Sequence, residues 1–275
     1  MNNFFIISNR MKDPDFEFGG KVRDYLVSRG ASCTEAFGDP DGKQVAPEKT
    51  DLIIVLGGDG TMLKAADDNA GGRVPLLGIN LGQLGYMAEI EKEGWKEALD
   101  SVLSGDYEIE ERMMLEGRSA RTGDTMEALN DIVITRAGKL QVVGIDVYVN
   151  GQFLNRYEAD GIIVSTPTGS TAYNLSAGGP IVEPQARLIL MTPICAHTLN
   201  TRTIIFSPND TIEMEIGAAR TGKQAEVDAD FDGDYHSVRM KTGERMRIRV
   251  SAKTTRILRV KRLSFLEVLH RKMSV

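Results

Sequence analysis

Soft metal ligands are scarce in this chain. Its 275 residues include two cysteines, Cys33 and Cys195, and three histidines, His197, His236 and His270. They lie in no ligand spacing, which excludes a zinc centre and a disulfide framework. No stretch approaches the ~18 consecutive apolar residues that a membrane helix needs. The N-terminus "MNNFFIISNRMKDPDF" lacks the basic start and apolar core of a secretory signal. Positive charge is not in excess either: the net charge is -6 and the pI about 5.3. That argues against nucleic acid or an anionic membrane as partner. The expectation is a cytoplasmic protein with reduced thiols. What is present is ordinary for a globular chain, 41% apolar and 26% charged. The length suits one large domain or two modest ones, each with its own core.

The first hundred residues alternate between strand and helix patterns. "FFIIS" (4–8), "DLIIVLGG" (51–58) and "VPLLGIN" (74–80) are continuous apolar runs, as strands covered on both faces require. Between and after them, 19–30, 61–69 and 94–107 read as helices, the first and last closed by Gly30 and Gly105. Strand and helix in alternation predict a parallel sheet with crossovers. Past about residue 110 the pattern becomes short strands divided by Gly, Pro, Asn and Thr, with an Asn-Gly hairpin signal in "VNGQ" (149–152). "LSFLEVLHRKM" (263–273) has the apolar spacing of a closing helix. The division is an α/β domain over 1–110, joined by 264–275, and a β-rich domain over 111–263.

Three stretches carry chemistry. In "LIIVLGGDGTML" (52–63) a strand ends at Gly57-Gly58 and a helix begins. Glycines let the backbone turn and approach a ligand, and the helix start offers N–H groups to an anion. The Gly-Lys-Ser/Thr ending of a Walker A loop is missing. A bare turn would need the glycines alone; Asp59 is what such a turn does not need. A carboxylate beside phosphate is repulsive unless it accepts a proton or shares a cation. Both are tasks of phosphoryl transfer. The second stretch, "DGIIVSTPTGSTAYNLSAGGP" (160–180), is small and hydroxylic over 165–171 and sits between apolar strands. It reads as a loop lining a polar ligand, with Tyr173 as a flat face. The third, "ALNDIVI" (128–134), interrupts a strand with Asn130-Asp131, which alone is most simply a turn. Lys64, one turn into the helix, is either solvated or reaches a phosphate. The Asp-rich segment 222–234 does not fit the EF-hand calcium loop.

Together with "PICAHTLNTR" (193–202) and "SFLEVLHRKM" (264–273), these stretches resemble the NAD kinase family, in its order and over most of the chain. "GGDGT" (57–61) alone is shared with diacylglycerol and sphingosine kinases; the 160–181 block is the specific one. The resemblance implies transfer of the ATP γ-phosphoryl group to the 2′-hydroxyl of NAD's adenosine ribose, giving NADP. It implies Mg²⁺ with ATP and a homodimer or homotetramer, and leaves open whether polyphosphate can replace ATP. It implies an α/β N-terminal domain with a parallel sheet, a β-rich C-terminal domain and a C-terminal helix returning to the first.

By the same resemblance Asp59 is the general base. Gly60 and Lys64 match NAD contacts, and Asn130 and Asp131 the pair that holds the adenosine part. Asp160, Thr171, Ala172, Tyr173, Asn174, Leu175 and Ser176 match residues that grip NAD, and Gly57, Gly58 and Thr61 lie on the phosphate side. The family often has Glu where this chain has Asp131, and two aromatics where it has Tyr86-Met87. The shorter arm would reach by a small backbone shift, and the methionine would pack on a base. A lipid kinase would need an apolar cleft or a basic amphipathic helix. A non-enzymatic NAD(P) sensor would have lost Asp59 or broken the glycine loop. The sequence has neither feature.

Overall fold

The computed structural model describes all residues except 38–41, 72, 83–84, 139–141, 198–200, 219–221, 223, 234, 261–263 and 275. Residues 198–200 of "PICAHTLNTR" therefore lie outside the described residues. The chain divides into two compact units, Met1–Arg112 with Thr255–Val275, and Met113–Thr254.

The first unit contains β1 (Asn3–Ser8), α1 (Glu17–Ser28), β2 (Ser32–Phe37), β3 (Leu52–Gly57), α2 (Asp59–Asp68), β4 (Leu76–Asn80), β5 (Ile90–Glu91) and α3 (Trp95–Ser104). Strand order is β2-β1-β3-β4, all parallel. Every residue of β3 is buried, as its unbroken apolar run required. With Phe4, Ile6, Val22, Leu26, Leu77 and Leu99 it forms one core. Each such side chain contributes about 1.5–3 kcal/mol on leaving water. The order puts a topological switch between β1 and β3, because the chain leaves β1 toward β2 and returns to β3 on its other side. Ligands of open α/β sheets bind beyond the strand ends at that point. Asn9, just past β1, donates its backbone N–H to Leu56 O at 2.8 Å and so ties the two strand ends together.

The chain leaves this unit through β6 (Glu108–Ser119). The second unit continues with β7 (Thr125–Ala128), β8 (Asp131–Arg136), β9 (Val143–Val149), β10 (Gln152–Ala159), β11 (Gly161–Ser165), the single turn α4 (Tyr173–Ser176), β12 (Ile189–Ile194), β13 (Ile204–Phe206), β14 (Ile212–Ile216), β15 (Glu226–Phe231) and β16 (His236–Lys241). One antiparallel sheet has the order β13-β12-β11-β8-β15-β16. Strands β10, β9 and β14 pair antiparallel in another, joined by the start of β17 (Arg245–Arg259). Inward residues of both sheets, among them Ile132, Ile145, Ile162, Met214 and Phe231, share one core.

The end of β17 belongs to the first unit, where Ile257 pairs with Leu76. The returning segment thus begins at Thr255, inside a strand, rather than at 264. It ends in α5 (Phe265–Met273), whose first turn is closed reciprocally: Ser264 Oγ accepts from Glu267 N at 3.2 Å and Glu267 Oε2 accepts from Ser264 N at 2.7 Å. The sequence reading had no strand at β15; its Glu-Val-Asp-Ala-Asp-Phe alternation buries every second residue, inside the segment read only as acidic. Among the described residues no helix is long and apolar enough to cross a membrane.

Candidate active site

The glycine loop joins β3 to α2 at the switch point of the first unit. A Cβ on Gly57 would lie 2.3 Å from Thr61 Oγ1, so only glycine lets the helix start this close to the strand. Thr61 Oγ1 accepts from Asn9 Nδ2 at 2.9 Å and from Gly58 N at 3.4 Å. The threonine therefore closes the first turn and anchors it to the end of β1. Lys12 reaches the same spot: its ammonium would be 3.3 Å from a Cβ on Gly58 and 2.9 Å from one on Gly82. A phosphate here would meet helix N–H groups and a cation. Lys64 forms an ion pair with buried Asp68 at 3.4 Å, one turn further along.

Asp59 is the first residue of α2 and half-buried. Its carboxylate is held by one short segment. Oδ2 accepts from Tyr86 N at 2.7 Å, and Oδ1 from Met87 N at 3.0 Å and Ala88 N at 3.2 Å. A carboxylate offers about four lone-pair sites. Among the described residues three are taken, and the one remaining, on Oδ2, can accept a proton. The far side of the segment is held too. Arg259 of β17 donates to Tyr86 O and Met87 O at 3.5 and 3.4 Å and pairs with Glu89 at 2.9 Å. Lys272 of α5 lies 4.5 Å from the Tyr86 ring centre. The returning segment thus braces the backbone that aims Asp59. Met87 is only 5% exposed, so it packs inside the protein and not on a base, contrary to the sequence expectation.

In the second unit, β8 starts at Asp131 and lies between β11 and β15. The hydroxylic loop after β11 folds onto the residues before β8. Thr166 N and Ser165 Oγ donate to Asn130 O at 2.8 and 3.1 Å, and Thr166 Oγ1 donates to Leu129 O at 2.6 Å. Gly169 is required there, since a Cβ would lie 2.2 Å from Asn130 O. The backbone N–H groups of Leu129, Asn130 and Asp131 all go to the Asp232 carboxylate, at 2.7, 2.7 and 3.1 Å. With the backbone satisfied, three buried side-chain oxygens have no partner among the described residues: Asn130 Oδ1, Asp131 Oδ2 and Thr168 Oγ1. Buried polar atoms are rarely left so, and a ligand's hydroxyls or amines would complete them. Burial, and after it the neighbouring Asp232 charge, push the Asp131 carboxyl up to about 7.

Residues 18–107 match the family described as ATP-NAD kinase N-terminal domain, and residues 129–260 match ATP-NAD kinase C-terminal domain. The chain belongs to the NAD kinase family. The NAD kinase of Lachnospira eligens is 43% identical over 99% of this chain and all of its own length, and that of Agathobacter rectalis 42% identical over 99% of both. Among solved structures, yeast NADH kinase complexed with NADH superposes with a TM-score of 0.85 at 25% identity, covering all of this chain and 88% of its own. An NAD kinase from Archaeoglobus fulgidus in complex with ATP has the same fold, with a TM-score of 0.80 at 23% identity over 99% of both chains.

Within the NAD kinase framework the expected residues sort as follows. Gly57, Gly58, Asp59, Gly60 and Thr61 gather at one loop, with Lys64 a turn away. Asn130 and Asp131 join the 165–169 loop. Asp160 does not join them: it precedes β11, while Asp131 pairs with Ser165 at that strand's other end, roughly 15 Å away. Asp160 pairs instead with Arg136 at 3.1 Å. Tyr173, Leu175 and Ser176 are exposed and Thr171 and Ala172 half-buried, all presentable to a ligand.

Asn174 is fully buried, donates to Ser170 O and Pro180 O at 2.9 and 3.1 Å, and accepts from Thr192 Oγ1 at 2.7 Å, so its amide fastens the loop. Lys12, Thr168, Asp232 and Arg259 escaped the sequence reading of the site. Thr168 lies in the hydroxylic run and Asp232 in the Asp-rich segment 222–234; Lys12 and Arg259 had no local signal. Among the described residues no three His, Cys, Asp or Glu side chains gather to hold a metal.

Proposed function

We propose that this chain transfers the γ-phosphoryl group of ATP to the 2′-hydroxyl of the adenosine ribose of NAD, giving NADP and ADP. The ribose O2′–phosphorus bond forms, the bond from the γ-phosphorus to the β,γ-bridging oxygen breaks, and the hydroxyl proton passes to Asp59 Oδ2. The observation that carries this reading is the three-point hold on Asp59 at the switch-point loop, which fixes a carboxylate while leaving an acceptor site on Oδ2. Phosphoryl transfer asks the protein mainly for position and charge, so a fixed carboxylate suffices as the proton acceptor. Lys12, the loop N–H groups and Thr61 would hold the phosphates. Asn130, Asp131 and Thr168 would hold hydroxyls of the dinucleotide. Mg²⁺ would arrive on the ATP phosphates, partly neutralising their charge. The working form is a homodimer or homotetramer.

The test incubates the protein with Mg²⁺, NAD or NADH, and ATP or polyphosphate, and reads NADP(H) with an NADP-specific dehydrogenase. NADP from NAD and ATP is expected, and none of its analogue from 2′-deoxy-NAD, where the nucleophile is absent. Product from the deoxy compound, or diacylglycerol phosphorylated as fast as NAD, would overturn the assignment.

A further inference from the structure

The Asp-rich end of β15 has no place in the chemistry above, yet one of its carboxylates organises the dinucleotide side of the site. Asp232 follows β15 in register opposite Asp131, since Phe231 pairs with Ile132. Its own N–H donates to Asp131 O at 3.0 Å. Both its oxygens are spent on the N–H groups of Leu129, Asn130 and Asp131. To do this it adopts a left-handed backbone, φ 51°, and Gly233 follows at 92°. Such a conformation is strained for a residue with a Cβ and persists where other contacts over-determine it. Asp232 and Asp131 are 9% and 4% exposed, so the paired carboxyls are in low dielectric. Burying a second acid beside Asp131 is costly for folding alone, since any neutral acceptor would avoid the repulsion.

We propose that Asp232 is a positioning residue for NAD: its carboxylate gathers three successive N–H groups and so aims the partnerless Asn130 Oδ1 and Asp131 Oδ2 at ribose hydroxyls. This rests on the reading that Asn130 and Asp131 hold the dinucleotide. N–H groups bonded to an anion are held more tightly than those bonded to a neutral acceptor. With all three fixed, the two side chains leave the backbone in one direction. Among the described residues Asp232 is also the charged group acting on Asp131, so its removal alters how Asp131 titrates.

The experiment compares Asp232→Asn with the parent and with Asp228→Asn, a half-buried residue of the same strand paired to Arg239. KM for NAD and for ATP, and kcat, are measured from pH 5.5 to 8.5. For Asp232→Asn the expected result is a rise of about tenfold or more in KM for NAD, with KM for ATP within about twofold. The pH midpoint of KM for NAD should move to lower pH, because Asp131 has lost its like-charged neighbour; a purely structural role would not move it. If Asp232→Asn does not fold, the smaller and equally neutral Asp232→Ser takes its place. Amide exchange in the parent offers a further reading: Leu129, Asn130 and Asp131 should exchange as one protected group. Asp131→Ala separates the two ideas. If it leaves KM for NAD unchanged, the dinucleotide reading fails. If it raises KM while the neutral Asp232 variants leave KM and its pH midpoint at parental values, the positioning role fails alone.

Discussion

Gly85→Ala is a single methyl aimed at the proposed base from 26 residues along the chain. Its Cβ would sit 2.0 Å from Asp59 Oδ1, 2.6 Å from Cγ and 2.8 Å from Oδ2. Gly85 is not in the left-handed region, so alanine carries no backbone penalty and the perturbation is purely steric. Ordinary contact needs roughly another 1.5 Å at the nearest oxygen. Either the carboxylate swings away and loses its bonds from Tyr86, Met87 and Ala88, or the segment 85–88 withdraws and takes those donors with it. Both displace Asp59 relative to its supports by about 1 Å, a misplacement that can cost about 10²-fold in rate. Overpacking of this kind costs about 1–3 kcal/mol in stability. The assay is steady-state NADP formation at saturating NAD and ATP, with thermal unfolding alongside. Gly20→Ala, inside α1 with only Arg23 at 3.7 Å, is the control and should be neutral or stabilising. A Gly85→Ala enzyme with kcat within about threefold of the parent would refute the claim that the three-point hold matters to catalysis.

Asp59→Asn is not silent in shape. An amide has one acceptor oxygen, so either Tyr86 N or the Met87 and Ala88 pair loses its partner. We expect kcat to fall about 10²–10⁴-fold together with a loss of about 1.5–3 kcal/mol in denaturant unfolding; unchanged kcat would remove the base role. For Asp131 the sign follows from a carboxyl raised from 3.8 to about 7 by burial and by Asp232. Between those values the folded state keeps a proton that the unfolded chain has lost, so this group's contribution to stability falls as pH rises through the window and is level above it. Asp131→Asn should therefore gain on the parent by on the order of 1–4 kcal/mol at pH 8, and not at pH 4. An equal difference at both pH values would contradict the raised carboxyl. Light scattering should give two or four times the 30.2 kDa chain mass, and a mass near one chain would rule out the oligomer.

Much of the fold could be read from the sequence because its signals are local. The unbroken apolar runs of β3 and β4 are strands buried on both faces, and nothing distant could make them otherwise. The glycine pair, Asp59 and the helix after it are adjacent in the chain, so their union at one loop needed no tertiary information. The strand at β15 was missed because acidic residues on its exposed positions masked a period of two. The burial of Asn174 is invisible in sequence. The same amide that can grip a ligand can fasten a loop, and the neighbours Ser170, Pro180 and Thr192 decide which.

The sequence by itself determined which residue types stand next to one another: a carboxylate after two glycines, an amide beside an acid, a run of hydroxyls between strands. These are facts of covalent order, and they suffice for the family and the class of reaction. Only the tertiary structure decided what each group is free to do. Asp59 keeps an acceptor site because, among the described residues, three N–H groups reach it, from Tyr86, Met87 and Ala88. Asn130 and Asp131 keep their outer oxygens because Asp232, about a hundred residues later, takes up the backbone around them. Hydrogen-bond satisfaction is counted in space, and a chain position does not say how many of a group's partners are already present.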